Sequence, residues 1–147
     1  MLKLNKLLYT TTQDVYHDVI LPTSEQQKFL RESRNEIRDY LRPRIKAATV
    51  AILQMEHPVE PKFRDQGSWS YKTCIQPAYM PIQQMDWDFG VYLPVSVWED
   101  NGPPHLMAKA YFHLVESLLD QLCKDKGWKL FSGKDNCIRV VRHPISD

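Results

Sequence analysis

The hydrophobic period of this chain changes part-way along it, and that change constrains the fold more than any other feature. Between Ser24 and Met55 the residues Phe29, Leu30, Ile37, Tyr40, Leu41, Ile45, Ala48, Ile52 and Met55 return at roughly helical intervals. Arg31, Arg34, Arg38 and Arg42 fall mostly on the other side. From Met85 the period is two: Met85, Trp87, Phe89 and Val91 share one face, and Asp86, Asp88, Gly90 and Tyr92 the other. A chain carrying both patterns joins helices to a sheet, so the expected class is α+β.

Local signals set the expected boundaries. In "LPTSEQQ", Thr23 or Ser24 is an N-cap, Glu25 lies in the first turn and Gln26 or Gln27 stands at capping-box spacing. Pro43 should kink or divide the long helix, because it lacks an amide hydrogen and collides with the preceding turn. His57 to Asp65, with Pro58 and Pro61, reads as a loop leading into "QGSWSYKT". After the turn "EDNGPPH", Leu106, Ala110, Leu114, Leu118 and Leu122 predict a second helix that Gly127 stops. "WKLF" and "CIRVV" predict a hairpin around "SGKDN". The predicted order is helix, strand, strand, helix, strand, strand, in a mixed sheet backed by the two helices.

A length of 147 residues suits a single domain over 1–147, and 43% hydrophobic with 25% charged residues is ordinary for a folded protein. A formal charge of +1 supplies no global field toward nucleic acid or membrane. Cys74, Cys123 and Cys137 are widely spaced and form no CxxC pair, which fits free thiols in a reducing cytoplasm. No apolar run approaches a membrane span.

Chemistry concentrates in the strand expected from Met85. Residues two apart on a strand share a face about 6.6 Å apart, at roughly 3.3 Å rise per residue. Carboxylates so placed at Asp86 and Asp88 can converge on paired divalent ions, which sit about 3.5 to 4 Å apart in phosphoryl-transfer sites. Oxygen ligands suit Mg²⁺ or Mn²⁺. A bare Asp-x-Asp more often only solvates the open face of a strand. Here, however, aspartate is a poor strand former, and the opposite face is anchored by Met85, Trp87, Phe89 and Val91. Asp88-Phe89-Gly90 matches the protein-kinase metal triplet, but no kinase catalytic or glycine-rich loop precedes it. An EF-hand starting at Asp86 would need Gly and Glu where Val91 and Val97 stand.

The Gly-Ser element supplies a second half. Gly67 allows a close backbone turn, and the amides and hydroxyl of Ser68 can donate to phosphate oxygens, with Gln66 and Lys72 as further donors. Alone, a Gly-Ser pair is common in loops.

Gly67-Ser68 followed by Asp86-x-Asp88 resembles the motif pair of the polymerase-β-like nucleotidyltransferases. More closely, "PKFRDQGSWSYKT", "MDWDFGVYLPVSVWE" and "GWKLF" with "CIRVV" look like consecutive segments of the cGAS/DncV-like group, the bacterial cyclic GMP-AMP synthases. The resemblance runs from about Ser24 to the end of the chain. It implies a palm-type domain with a mixed sheet. It also implies a Mg²⁺- or Mn²⁺-dependent enzyme that joins nucleoside triphosphates into cyclic di- or oligonucleotide signals in anti-phage CBASS defence. Asp86 and Asp88 would be metal ligands and catalytic. Gln66, Gly67, Ser68 and Lys72 would hold the triphosphate. The family's third metal-binding Asp and its helical lobe are expected after the "CIRVV" strand, where this sequence runs to Asp147, a candidate for that acid. Three readings stay open: the N-terminal portion of a longer enzyme, a minimal form completed by self-association or a second chain, or a non-catalytic nucleotide-binding or interaction module.

Other candidates carry less. His17, His57, His105, His113 and His143 lack partners at diagnostic spacing. The series Arg31, Arg34, Arg38, Arg42, Arg44 and Lys46 is interleaved with Glu32, Glu36 and Asp39, as in a solvated, salt-bridged helix face. Trp69, Trp87, Trp98 and Trp128 are expected in the core or its rim, with Trp69, beside Ser68, the one candidate for a place near a nucleobase.

Overall fold

The computed structural model describes residues 19–79, 84–94, 103–134 and 137–142. Its elements, in chain order, are α1 (Ser24–Ala51), β1 (Lys62–Asp65), α2 (Gly67–Tyr71), β2 (Phe89–Tyr92), α3 (Pro104–Lys126), β3 (Lys129–Lys134) and β4 (Cys137–Val141). The α+β class holds. β1 pairs with β2 and β3 with β4, in two two-stranded sheets. By contact density the chain forms two compact units, Met1–Leu30 with Asp65–Phe89, and Arg31–Arg64 with Gly90–Asp147.

α1 starts on the predicted capping box. The Thr23 amide donates to Gln26 Oε1 at 2.8 Å, and the Gln26 amide donates back to Thr23 Oγ1 at 3.2 Å. Of the two effects expected of Pro43, division does not occur: the helix runs 28 residues through it. Leu41 and Ile45, on either side of Pro43, are both 0% exposed. Their burial outweighs the roughly 3 kcal/mol that an interior proline costs a helix. Nearby, the Arg44 guanidinium lies 3.6 Å over the Tyr40 ring and donates to the Tyr40 carbonyl at 3.1 Å. Past α1, Gln54 takes φ +55, and the buried Thr49 hydroxyl accepts the Val59 amide at 3.0 Å while donating to Lys46 O at 2.7 Å.

The second unit carries the apolar core: Ile37, Leu41, Ile45, Ala48, Leu53, Met55, Leu93, Tyr111, Leu114, Val115, Leu119, Leu122 and Cys123 are all buried. Gly127, at φ +68, closes α3 as predicted, in a left-handed conformation that costs glycine least. The buried stripe of α3 runs through Tyr111, Leu114, Val115, Leu119 and Leu122, whereas Leu106 is 56% exposed. The predicted hairpin is present, antiparallel, with Leu130 opposite Val140 and an irregularity between Phe131 and Lys134. α3 packs on both of its strands. Arg142 ties the hairpin end to α1, donating to Ser33 Oγ at 3.2 Å and Glu36 Oε2 at 3.3 Å, with its guanidinium 5.3 Å over the Trp128 ring.

Two local expectations are corrected. Part of the expected loop His57 to Asp65 is β1, and the expected Gly-Ser turn is the first turn of α2. Both depend on pairing with residues far along the chain, which local composition does not encode.

Candidate functional site

Asp86 and Asp88 lie on the extended approach to β2, because the ladder begins only at Phe89. The predicted alternation still holds there, with Met85 and Trp87 half-buried and Asp86 and Asp88 exposed. Two indole bonds and one backbone bond fix this approach. The Trp69 indole N–H donates to the Asp86 carbonyl at 2.7 Å, and the Gln66 amide donates to the Asp88 carbonyl at 2.8 Å. The Trp87 indole N–H donates to Asp65 Oδ1 at 3.0 Å. The two indoles stack with centroids 4.2 Å apart and planes 7° from parallel.

These bonds bring the motif halves together. Gly67 has φ +60, and a Cβ built on it would overlap Asp88 Oδ2 and stand 3.3 Å from Asp88 Cγ. Glycine is therefore required twice, by the backbone angle and by the carboxylate against it. α2 follows at once and ends after Tyr71, where Lys72 adopts φ 59 and its amide turns back to the Ser68 and Trp69 carbonyls. The Thr73 amide closes the turn onto Ser68 O at 2.8 Å.

Ser68, Thr73, Cys74, Ile75, Gln84, Met85, Asp86 and Asp88 line one open cleft of about 280 Å³. Of the predicted site residues, Ser68, Asp86 and Asp88 share this lining. Gln66 contributes through its backbone, Gly67 through the room it leaves for Asp88, and Lys72 through its helix-ending conformation, with its side chain exposed. Asp147 lies outside the described residues. Cys74 escaped the sequence reading: burial pushes its thiol above the usual range, a hydrogen bond with Ser68 works against that, and the Asp86 charge adds to it. No spacing signal marks such a cysteine.

The donor set suits a hard cation. Mg²⁺ is commonly held by one or two carboxylates, with water and substrate phosphates completing its shell, and Asp86 and Asp88 offer two exposed carboxylates on one cleft. Among the described residues no cluster of three or more His, Cys, Asp or Glu could hold a metal ion by itself.

The family described as cyclic GMP-AMP synthase DncV-like, nucleotidyltransferase domain, matches residues 61–144. The chain belongs to this DncV-like nucleotidyltransferase family. The match takes in β1, α2, the acidic approach, β2, α3 and the hairpin. Curated relatives called cyclic GMP-AMP synthase share 35% identity over 83 residues in Escherichia coli (strain TW11681) and 36% over 81 residues in Vibrio cholerae serotype O1. These alignments cover 56% and 54% of this DncV-like chain but only 18% of each relative. A third relative of that name, from Escherichia coli, is 28% identical over 93% of this chain and 34% of its own length. Among solved structures, a mutant of the Vibrio cholerae dinucleotide cyclase DncV in complex with ATP and GTP superposes with TM-score 0.72 at 24% identity, over 93% of this chain and 46% of that one. The 3′-deoxy ATP-bound form of DncV gives 0.70, also at 24% identity, over 90% and 47%. At that identity the likeness establishes the palm-type fold. Among the described residues no helix is long and apolar enough to cross a membrane.

Proposed function

We propose that this chain provides the triphosphate- and metal-binding half of a nucleotidyltransferase site that joins nucleoside triphosphates into a cyclic di- or oligonucleotide. The observation that carries this reading is the convergence of Ser68, Asp86 and Asp88 on one cleft, with Gly67 fitted against Asp88. Asp86 and Asp88 are the residues that would hold Mg²⁺ or Mn²⁺. When bound, such an ion lowers the cost of the negative charge that builds up as a ribose hydroxyl attacks an α-phosphate and pyrophosphate leaves.

The chain's own residues do the rest. The Ser68 hydroxyl donates to a phosphate oxygen, and Gln66 and Lys72 offer further donors from the two ends of α2. Gly67 keeps the ground beside Asp88 open to the ligand. The backbone carbonyls of Asp86 and Asp88 are bonded to Trp69 and Gln66, so the segment that carries the carboxylates is in place before the ligand arrives. ATP and GTP are the substrates suggested by the relatives, the product serves CBASS-type anti-phage signalling, and the reaction takes place in the cytoplasm within one palm-type domain.

Incubation of the chain with labelled ATP and GTP and Mg²⁺ or Mn²⁺ tests this, read as pyrophosphate release and labelled oligonucleotide. Product that disappears in Asp86→Asn and Asp88→Asn supports the proposal. Calorimetric binding of ATP with no pyrophosphate would identify a binding module instead. Neither binding nor product would sink both readings.

A further inference from the structure

We infer that Trp69 and Trp87 are positioning residues that lock the Gly67-Ser68 turn and the Asp86-x-Asp88 segment into a single preformed cleft. The inference rests on the nucleotide-binding reading above for its consequence, and on geometry for its premise.

The premise lies in the ties that cross between these two segments, to which the Gln66 amide adds its bond to the Asp88 carbonyl at 2.8 Å. Each tryptophan sits inside one motif, Trp69 immediately after Ser68 and Trp87 between the two acids. Each also sends its indole N–H across to the other motif's neighbourhood, Trp69 to the Asp86 carbonyl at 2.7 Å and Trp87 to Asp65 Oδ1 at 3.0 Å. The crossing is reciprocal, because Asp65 precedes the Gly-Ser turn while Asp86 opens the acidic segment. Between the two bonds the rings stack with centroids 4.2 Å apart and a 7° interplanar angle. Tryptophan alone supplies a broad apolar face together with a directional donor.

The consequence follows from position. Both acids precede β2, and one backbone bond, from the Gln66 amide to the Asp88 carbonyl, holds the near end of the 86–88 segment. α2 is five residues long, too short to be stable by itself. The indole bonds, spanning 17 and 22 residues, therefore act with the Gln66 bond to set the distance from Ser68 to the carboxylates. A displacement of about 1 Å at such a site can cost on the order of a hundredfold in function.

The test uses the full chain, with Mg·ATP as the binding probe. Trp69→Leu removes both the stack and one N–H···O bond. It should abolish the near-ultraviolet circular-dichroism signal of the coupled indoles and speed amide exchange over residues 66–73 and 84–88. Exchange in α3 should stay as it was, and the Kd for Mg·ATP should rise on the order of tenfold. Trp69→Phe keeps an aromatic face and should recover most of that affinity. If the tryptophan acts through Ser68, Ser68→Ala should cost far less in the Trp69→Leu background than in the wild type. Should Trp69→Leu fail to fold, Trp87→Phe, which loses only the bond to Asp65, carries the same comparison with a shift of about threefold. A folded Trp69→Leu with unchanged exchange and a Kd within about twofold of wild type, the spread of a neutral surface change, overturns the inference. A wild type that does not bind Mg·ATP overturns the nucleotide reading instead, and the exchange data still decide whether the pair joins the two segments.

Discussion

The two units of this chain are held together by different physics. Every buried hydrophobic side chain of the described core belongs to Arg31–Arg64 with Gly90–Asp147. The described part of the other unit, which holds the candidate cleft, is organised by hydrogen bonds and one aromatic stack. Besides the indole bonds, Gln76 ties its unit's early residues down through its backbone amide to Ile20 O at 2.6 Å and its side-chain amide to Val19 O and Leu21 O. A buried aliphatic core gives stability in proportion to area and is indifferent to direction. Hydrogen bonds and stacking give less net stability but fix direction, which a site for phosphate oxygens and a hard cation needs. Fold stability and site geometry should accordingly respond to different substitutions.

The largest expected effect is on stability. Leu122→Ala, at a position 1% exposed, should cost about 2 to 5 kcal/mol and lower Tm by several degrees, read by thermal unfolding. Asp88→Asn should do the converse, reducing any pyrophosphate release by on the order of a hundredfold or more while leaving Tm nearly unchanged. If Asp88→Asn unfolds the protein, the division of labour between the units breaks. Gly67→Ala comes next, since it meets both φ +60 and Asp88 Oδ2. It should cost on the order of 1 to 3 kcal/mol locally, seen as weakened Mg·ATP binding and faster exchange in α2. The smallest effect sharpens the electrostatics of the cleft. Because burial and then the Asp86 charge raise the Cys74 thiol, its alkylation should stay slow near neutral pH and accelerate only as pH climbs through that raised value. Asp86→Asn removes the charge, so the alkylation profile should move to lower pH. A profile that does not move would detach Cys74 from the acid.

Much of the chain was legible because its signals are local. The Thr23 and Gln26 box, the stop at Gly127 and the hairpin each depend on residues a few positions apart and are all found, although β3 runs on through Ser132–Lys134, which the pattern reads as turn. The alternation through Asp86 and Asp88 was likewise readable, because exposure alternates wherever the backbone is extended, with or without a ladder partner. Pro43 does not divide α1, because proline's cost is local whereas the burial of Leu41 and Ile45 that offsets it is not. The α3 series is legible in part: Leu114 and Leu122 are buried, whereas Leu106 and Ala110 are exposed, and packing adds Tyr111, Val115 and Leu119.

By itself, then, the sequence determined the α+β class, the two long helices, the hairpin and the identity of the two motifs, since periodicity, capping and turn chemistry act over a few residues. Only the tertiary structure decided that Gly67 seats against Asp88, that Trp69 and Trp87 stack, and that Cys74 joins Ser68 on the cleft. Those contacts link residues 6 to 21 positions apart through side chains. Chain folding, and no repeat in the sequence, brings them within bonding distance.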